Sequence, residues 1–192
     1  MSLAISVGRH DHILGFATAP VTLVEYGDYE CLYCGAAYPV LNALLEYFEC
    51  DLRFVFRHMP LTKMHSHAEF AAEAAEAAAA QGKFWDMHGA LYQHQSILAR
   101  DCIFGLARRM QLDLGRFEDD LLSHRYRNHV RCDCMGGVRS GVMGTPTTFF
   151  INGERYDGNL VFINGEHPDG EVDQESLKAA VQRELNSIPL LP

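Results

Sequence analysis

Two cysteines three positions apart, Cys31 and Cys34, stand where a strand-like apolar run meets the start of a helix. Residues 21–26 read VTLVEY, which is typical of a strand buried on both faces and interrupted by one acid, Glu25. The turn residues Gly-Asp follow at 27–28. The chain must therefore fold so that two thiols share the first turn of a helix. There they can form and break a disulfide with little movement of the backbone.

The start of a helix is an electrostatically favourable place for a thiolate. The first backbone N–H groups of a helix lack partners and carry partial positive charge, which lowers the pKa of a nearby thiol. In C-x-x-C pairs that pKa ranges from about 3.5 to about 7, against about 8.5 for a free cysteine. Cys31 is therefore the predicted nucleophile, and Cys34, one turn further along, is the predicted resolving thiol. The spacing alone also permits a permanent disulfide or one half of a zinc site.

Length and composition narrow the class of protein. The chain has 192 residues, of which 48% are hydrophobic, and this suits one domain or one domain with an insertion. The net charge of −9 argues against a nucleic-acid surface, and no apolar stretch approaches the ~20 residues of a membrane span. The opening residues lack the basic start and apolar run of a secretory signal. We therefore expect a cytoplasmic location, or a periplasmic one if an export signal has been removed.

The first half of the chain predicts a βαβ unit. The helix from Cys31 carries an apolar stripe that begins with Ala36 and Ala37, and it contains Pro39, which should kink it. Residues 52–56 alternate as a strand with one buried face. Strand, helix and strand in this order predict a parallel pair with a right-handed crossover.

A helical block separates this unit from the later strands. Residues 66–69 match a capping box, and Gly82 is a predicted helix stop. Further helices are predicted over 83–94, 101–111, 114–123 and 124–138. Strands return at 147–151, where Asn-Gly at 152–153 indicates a hairpin that pairs 154–157 back onto it. Residues 174–186 read as a closing amphipathic helix.

Two segments of the chain resemble the signatures of one family. Residues 21–31, VTLVEYGDYEC, and residues 141–147, GVMGTPT, are similar to the active-site segment and the second signature of DsbA-like thiol-disulfide oxidoreductases. The resemblance covers roughly residues 10–186. It implies an α/β protein with the thioredoxin fold and an all-helical subdomain inserted between the second and third strands. Residues 1–62 and 139–192 would then form the thioredoxin-like domain, and 63–138 the inserted helical subdomain.

The resemblance implies roles for the residues of the first signature. Cys31 would attack a substrate disulfide, and Cys34 would resolve the mixed disulfide. Glu25 matches the buried acid six residues before the nucleophile, and burial should raise its pKa so that it accepts a proton from Cys34 through water. Alternatively, Glu25 is an acid simply paired with Lys or Arg.

The second signature completes the expected site. Pro146 resembles the cis-proline that packs beside the two sulfurs. The alternative is an ordinary turn with a trans peptide bond. The backbone of Thr145 would pair with an extended substrate as an added strand does. Leu32 and Tyr33, between the cysteines, are assigned to the substrate-binding surface with Thr145.

Partners and cofactors follow from the same chemistry. Protein or peptide thiols and disulfides are the expected substrates, with glutathione as a small-thiol candidate. No bound cofactor or metal is expected, because the reducing equivalents reside on sulfur. Neither a nucleic acid nor a membrane is an expected partner. The oligomeric state stays open, since no heptad seam or long apolar surface stripe stands out, and a monomer is favoured.

Two other functions stay open at this point. Cys31, Cys34, Cys132 and Cys134 could together form a non-redox zinc site. Alternatively, the same scaffold could bind glutathione for transferase or isomerase work, although the intact cysteine pair argues against this.

The sequence departs from the family in three places. Leu32-Tyr33 replaces the His of strongly oxidising members, and with the nearby Asp28 and Glu30 this predicts a less stable thiolate and a more reducing pair. Residues 159–173 predict a second small hairpin. The extra cysteines form the third departure. Cys132 and Cys134 could relay electrons from Cys34. Cys50 and Cys102 are expected to be buried and to act as small hydrophobic residues.

Overall fold

A five-stranded sheet forms the frame of the residues that the computed structural model describes, which are 2–145, 147–152, 154–155 and 174–188. The strand order in the sheet is β1-β3-β2-β4-β5. The strands are β1 (His12–Leu14), β2 (Val21–Gly27), β3 (Leu52–His58), β4 (Thr147–Ile151) and β5 (Glu154–Arg155).

The predicted βαβ unit lies at the centre of this sheet. β2 and β3 run parallel, with Leu23 opposite Phe54, and are joined by α1 (Leu32–Phe48). β1 and β4 flank this pair and run antiparallel to β3 and β2, respectively. The sequence does not predict β1, because three residues are too few to display an alternating pattern.

The two faces of β2 pack against different clusters of side chains. Val21 and Leu23 belong to the large core that also contains Cys34, whereas Val24 and Tyr26 belong to a smaller cluster on the opposite face. Because side chains alternate along a strand, Glu25 lies on the same face as Leu23 and the cysteines. The prediction that β2 is buried on both faces is confirmed.

β3 is more deeply buried than its sequence predicts. One buried face was expected, yet of its seven residues only Arg53 is not fully buried. The reason is that helix α6 (Arg127–Arg139) covers the second face of the sheet. A pair of glycines permits this close packing: a Cβ added at Gly137 would lie 2.9 Å from Cδ1 of Tyr26.

Helix α1 begins directly after Cys31, which has extended backbone angles of φ −73° and ψ 116°. Pro39 lies inside the helix, as predicted. Ala37 is buried but Ala36 is exposed, so that part of the predicted stripe is wrong. The buried positions are spaced by three and four residues along one narrow face, and they are Cys34, Ala37, Leu41, Leu44 and Phe48.

The inserted helical block is confirmed between β3 and β4. It contains α2 (Ala68–Ala79), α3 (Phe84–Gln93), α4 (Arg100–Arg109), α5 (Leu114–Leu122) and α6, and α7 (Gln174–Ser187) follows the later strands. Gly82 has a φ of 74°, which suits its predicted place at a helix stop. None of the helices described is both long and apolar enough to cross a membrane.

The capping box predicted at residues 66–69 is wrong. The residue before α2 is His67, and its side chain makes no capping hydrogen bond. Instead, the backbone N–H of His67 donates to the carboxylate of Glu30. An acid next to the cysteine pair therefore occupies the start of α2, where the helix dipole favours a negative charge.

Several predicted features lie outside the described residues. These are Pro146, the second turn residue Gly153, the end of the predicted hairpin at 156–157 and the second hairpin at 159–173.

Candidate active site

The start of α1 holds both cysteines in one turn. The backbone N–H of Cys31 donates to the carbonyl of Asp28 at 3.1 Å, and Gly35 N–H donates back to the carbonyl of Cys31 at 3.1 Å. Cys31 is 4% exposed and Cys34 is completely buried. Both thiols are free in this structure. The sulfur that a substrate can reach first is therefore that of Cys31.

The surroundings of Cys31 favour its ionised form. Its pKa is lowered from 9.0 to about 6. The largest cause is a hydrogen bond from the Cys34 thiol; burial opposes the shift, and hydrogen bonds from Thr145 and from the amides of Tyr33 and Cys34 reinforce it. In its thiol form, Cys31 donates to the carbonyl of Thr145 at 3.0 Å.

Cys34 has the opposite electrostatic character. Burial raises its pKa well above the ordinary value, and the hydrogen bond to Cys31 and the negative charge of Glu25 raise it further. Its sulfur accepts a hydrogen bond from the N–H of Asp28 at 3.5 Å, which opposes these effects. One thiol of the pair thus ionises near neutral pH while the other stays protonated.

Glu25 is a buried acid on the same face of the sheet as the cysteines. It is 1% exposed, and its pKa is raised from 4.5 to about 8 by burial and then by the negative charge of Cys31. Within the described residues, its Oε1 has no hydrogen-bond partner, and no Lys or Arg forms an ion pair with it. The alternative of a simple ion pair therefore has no support in the described part of the chain.

Two histidines that the sequence analysis did not single out form hydrogen bonds with the acids before Cys31. Asp28 is buried and accepts hydrogen bonds from Nδ1 of His65 at 2.8 Å and from the N–H of Leu61 at 2.7 Å. Glu30 accepts a hydrogen bond from Nδ1 of His67 at 2.9 Å. These partners weaken the premise that the two acids oppose thiolate formation.

His65 also responds to the cysteine itself. Burial acts to lower the pKa of His65, but the hydrogen bond to Asp28 and the charges of Asp28 and Cys31 raise it overall. The imidazole of His65 and the Cys31 thiolate therefore attract each other when both are charged. The sequence signal for this contact was two histidines, His65 and His67, shortly after β3, which runs parallel to β2.

Gln95 is a further residue that the sequence analysis missed. It lies in a short 3-10 turn, Gln95–Ile97, of the helical block. Its side-chain amide donates to the carbonyls of Tyr29 and Cys31 at 3.0 and 2.5 Å. A Cβ added at Gly35 would lie 2.3 Å from its Oε1, so a larger residue there would require the Gln95 side chain to move. The inserted block therefore fixes the backbone on both sides of the strand-to-helix turn.

Two of the predicted substrate-binding residues are exposed neighbours of Cys31 in the chain, and the third contacts its sulfur. Leu32 and Tyr33 adjoin Cys31 along the chain and are 75% and 38% exposed. Thr145 is nearly buried, and its carbonyl contacts the Cys31 sulfur. Pro146 follows it in the sequence, outside the described residues.

The remaining cysteines do not join the pair. Cys132 is exposed and Cys134 is half-buried against the smaller core cluster. Across the described ranges, the one set of three or more His, Cys, Asp or Glu side chains close enough to share an ion contains no cysteine, which overturns the four-cysteine zinc site. Cys50 is exposed, so its predicted burial is wrong, and Cys102 is half-buried.

Comparison with known families identifies the fold as that of an established group. Residues 8–183 match the model of a family described as Thioredoxin. The chain therefore belongs to the thioredoxin family, and it has the DsbA-like form of that family's fold.

The sequence is also similar to parts of much longer proteins. It is 49% identical over 149 residues to a protein of Salinispora arenicola named Na(+)/H(+) antiporter NhaA 1, covering 78% of this chain and 22% of that protein. It is 43% identical over 182 residues to Na(+)/H(+) antiporter NhaA 3 of Salinispora tropica, covering 95% and 26%. The chain thus spans about a quarter of the length of these relatives.

Solved structures match over nearly the whole chain. A thioredoxin-like oxidoreductase from Silicibacter pomeroyi superposes with a TM-score of 0.77 and 26% identity, covering 94% of this chain and 95% of that one. Oxidised BdbD from Bacillus subtilis gives a TM-score of 0.78 at 21% identity, covering 93% and 94%. Wolbachia pipientis alpha-DsbA1 gives 0.76 at 18% identity, covering 96% and 94%.

Proposed function

We propose that this protein is a thiol-disulfide oxidoreductase, with Cys31 as the nucleophile and Cys34 as the resolving thiol. The observation that carries the proposal is the division of acidity within one helical turn. Cys31 has a pKa lowered to about 6, and Cys34 has a pKa well above its ordinary value. A thiolate is the attacking species in disulfide exchange. Near neutral pH the pair therefore contains one reactive thiolate, Cys31, and one protonated resolving thiol, Cys34.

The reaction proceeds through a mixed disulfide. The Cys31 thiolate attacks one sulfur of a substrate disulfide, forming a bond to that sulfur, and the other substrate sulfur leaves as a thiolate and takes up a proton. Cys34 then loses its proton and attacks Cys31, which releases the second substrate thiolate. The protein ends with a Cys31–Cys34 disulfide and the substrate with two thiols, so two electrons have passed to the substrate. The reverse sequence oxidises a substrate dithiol.

Glu25 is the proposed acceptor of the proton that Cys34 loses. The negative charge of Glu25 raises the pKa of Cys34, so the two groups interact across the same buried face. With its own pKa near 8, Glu25 can both hold and release a proton in the neutral range. A water molecule would complete the path between the two groups.

The surface that receives substrate is proposed to include Leu32, Tyr33 and Thr145, with Pro146 as a cis-proline beside the sulfurs. The large exposed fraction of Leu32 and the carbonyl contact of Thr145 support this assignment. An extended peptide could add its backbone to Thr145, which would bring a substrate sulfur alongside Cys31. Substrates of this kind are protein or peptide thiols and disulfides, with glutathione as a small-thiol partner.

Trapping of the mixed disulfide tests the two roles. Cys31→Ser should abolish exchange with a peptide that contains one disulfide. Cys34→Ser should accumulate a covalent adduct of protein and peptide, visible by mass spectrometry and released by reductant. Cys50→Ser removes an exposed cysteine outside the pair and should retain wild-type activity. Sustained glutathione-dependent turnover by Cys34→Ser, without an adduct, would contradict the proposal and favour a transferase or isomerase.

A further inference from the structure

A second group of reactive side chains converges outside the cysteine pair. His12 on β1 and His58 on β3 each place Nε2 beside the same oxygen of Glu76, at 2.6 and 2.8 Å. Glu76 comes from α2. The three ligand atoms all lie within 4.8 Å of one another. Two nitrogens and one oxygen from three separate elements therefore face one small volume.

A third imidazole, on α6, lies beside this group but outside the set whose ligand atoms are all within 4.8 Å of one another. Nε2 of His129 lies 3.7 Å from the shared oxygen of Glu76 and 3.8 Å from Oδ2 of Asp133. The ring centroid of His129 is 6.0 Å from that of His12 and 6.5 Å from that of His58. Asp133 also accepts the backbone N–H of His58 at 3.0 Å, which ties α6 to the end of β3.

The surrounding protein holds these side chains in place. His58 is completely buried and Glu76 is 5% exposed. The ring of His12 stacks on Phe84 with centroids 3.4 Å apart and planes at 8°. Nδ1 of His58 has no hydrogen-bond partner in the part of the chain that is described. Hydrogen bonding within the cluster therefore does not satisfy every polar atom of this buried ring.

We propose that His12, His58, His129 and Glu76 bind one divalent transition-metal ion, for which zinc is the best fit. Imidazole nitrogens and a carboxylate oxygen are ordinary zinc ligands. Bonds of about 2.0–2.1 Å in a tetrahedron separate the ligand atoms by about 3.3–3.4 Å. The contacts to the shared Glu76 oxygen are 2.6, 2.8 and 3.7 Å, so each needs to change by less than about 1 Å.

Charge and access support a cation at this place. Glu76 and Asp133 place two carboxyl groups beside the imidazoles, a donor set that suits a divalent cation. An open cavity of about 390 Å³ is lined by His129 and Asp133, and so offers an entry path. Two arginines also line this cavity: Arg57 is paired with Asp11 at 2.7 Å, and Nε of Arg9 donates to Nε2 of His10 at 3.1 Å.

A bound ion would link four elements that are far apart in the sequence. β1 and β3 belong to the sheet, whereas α2 and α6 belong to the helical block. The ion would act as a structural clamp between the two parts of the fold. It does not depend on the cysteines, so the result of the thiol-trapping experiment has no bearing on it.

Calorimetric titration of ZnCl2 into the oxidised protein tests the proposal, because the Cys31–Cys34 disulfide cannot ligate zinc. We expect one ion per chain. Glu76→Gln and His129→Asn should each weaken binding by at least about tenfold. His129 is partly exposed on α6, so its variant tests the site even if Glu76→Gln fails to fold.

Two control variants separate this site from other zinc ligands. His124→Asn alters a similar pair, His124 with Glu73 of α2 at 3.1 Å, and should change affinity less than twofold. Cys132→Ser should also leave affinity unchanged, and Co²⁺ bound in place of zinc should show no thiolate charge-transfer band. Failure of the wild type to bind zinc would overturn the proposal. Full binding by His129→Asn, or loss of binding in Cys132→Ser, would do the same.

Discussion

Nδ1 of His65 donates a hydrogen bond to the buried carboxylate of Asp28 at 2.8 Å, three residues before the proposed nucleophile Cys31. The charges of Asp28 and Cys31 both raise the pKa of His65, so the imidazole lies within electrostatic range of the sulfur. The thiolate is therefore stabilised by a residue of the chain that follows β3, as well as by the start of its own helix.

The contribution of His65 can be measured directly. His65→Gln should raise the Cys31 pKa by roughly half a unit, which lowers the thiolate fraction about threefold below that pKa. The pH dependence of alkylation by iodoacetamide reports this value. His67→Gln is the matched control, because the His67 side chain is 47% exposed and its pair with Glu30 is screened by solvent. Equal shifts in both variants would contradict a specific role for His65.

The reduction potential of the cysteine pair should lie between those of reducing and strongly oxidising relatives. A pKa of about 6 for Cys31 falls between about 7 in thioredoxin and about 3.5 in DsbA. Since a more stable thiolate makes the disulfide a stronger oxidant, we expect a midpoint between about −270 and about −180 mV in a glutathione redox titration. A midpoint near about −120 mV would contradict the prediction of a more reducing pair.

Glu25 should make the stability of the protein depend on pH. Its pKa is about 8 in the folded state and 4.5 as an ordinary glutamate, so between these values the folded state retains a proton that the unfolded state has lost. Wild-type stability from this group therefore falls as pH rises from 4.5 to about 8.

Glu25→Gln isolates that effect, because glutamine does not ionise. The free energy of unfolding of the variant, relative to wild type, should increase across this window by up to about 5 kcal/mol. Urea denaturation of both reduced proteins from pH 5 to pH 8 measures the difference. A constant difference across the window would show that Glu25 ionises normally.

The same variant tests the proposed proton transfer. Loss of the carboxylate should slow the attack of Cys34 on the mixed disulfide by at least about tenfold, because no base accepts its proton. Rapid-quench measurement of the resolution step should show a rate that rises towards pH 8 in wild type only. The first attack, by Cys31, should change little and serves as the internal control. An unchanged pH profile for resolution would leave Glu25 with a structural role alone.

The contact between Gly35 and Gln95 can be tested by a double-mutant cycle. Gly35→Ala should destabilise the protein by about 1–3 kcal/mol, because the new methyl group meets the Gln95 side chain. In a Gln95→Ala background the same change should cost much less, since the clash is gone. Urea denaturation of the four proteins gives the coupling energy. Additive effects would mean that the two positions do not interact.

Local sequence patterns predicted the central architecture. The strand with Glu25 inside it, the helix that starts at Cys31 and the helical block each follow from periodicity, turn residues and helix-start chemistry within a short window. The errors arose where distant segments intervene. α6 covers the face of β3 that was predicted to be exposed. The backbone N–H of His67 bonds to Glu30, 37 residues earlier, instead of joining the predicted capping box at residues 66–69.

Residues that act through long-range contacts could not be predicted from local sequence patterns. Gln95 is an ordinary polar residue until the helical block places its amide on the carbonyl of Cys31, 64 positions away. His12, His58 and Glu76 come together only after a sheet edge and a helix have packed. Single histidines scattered along a chain are indistinguishable from surface residues before that packing is known.

The carbonyl of Thr145 that contacts the Cys31 sulfur is 114 positions along the chain from it. Contacts of such long sequence separation form late, because the entropy of closing a large loop must first be overcome. During synthesis, Cys31 and Cys34 therefore emerge as ordinary thiols well before Gln95 and Thr145 are available to surround them. The part of the low Cys31 pKa that Thr145 supplies is therefore acquired at the end of folding, whereas the part that Cys34 supplies needs only the first turn of α1.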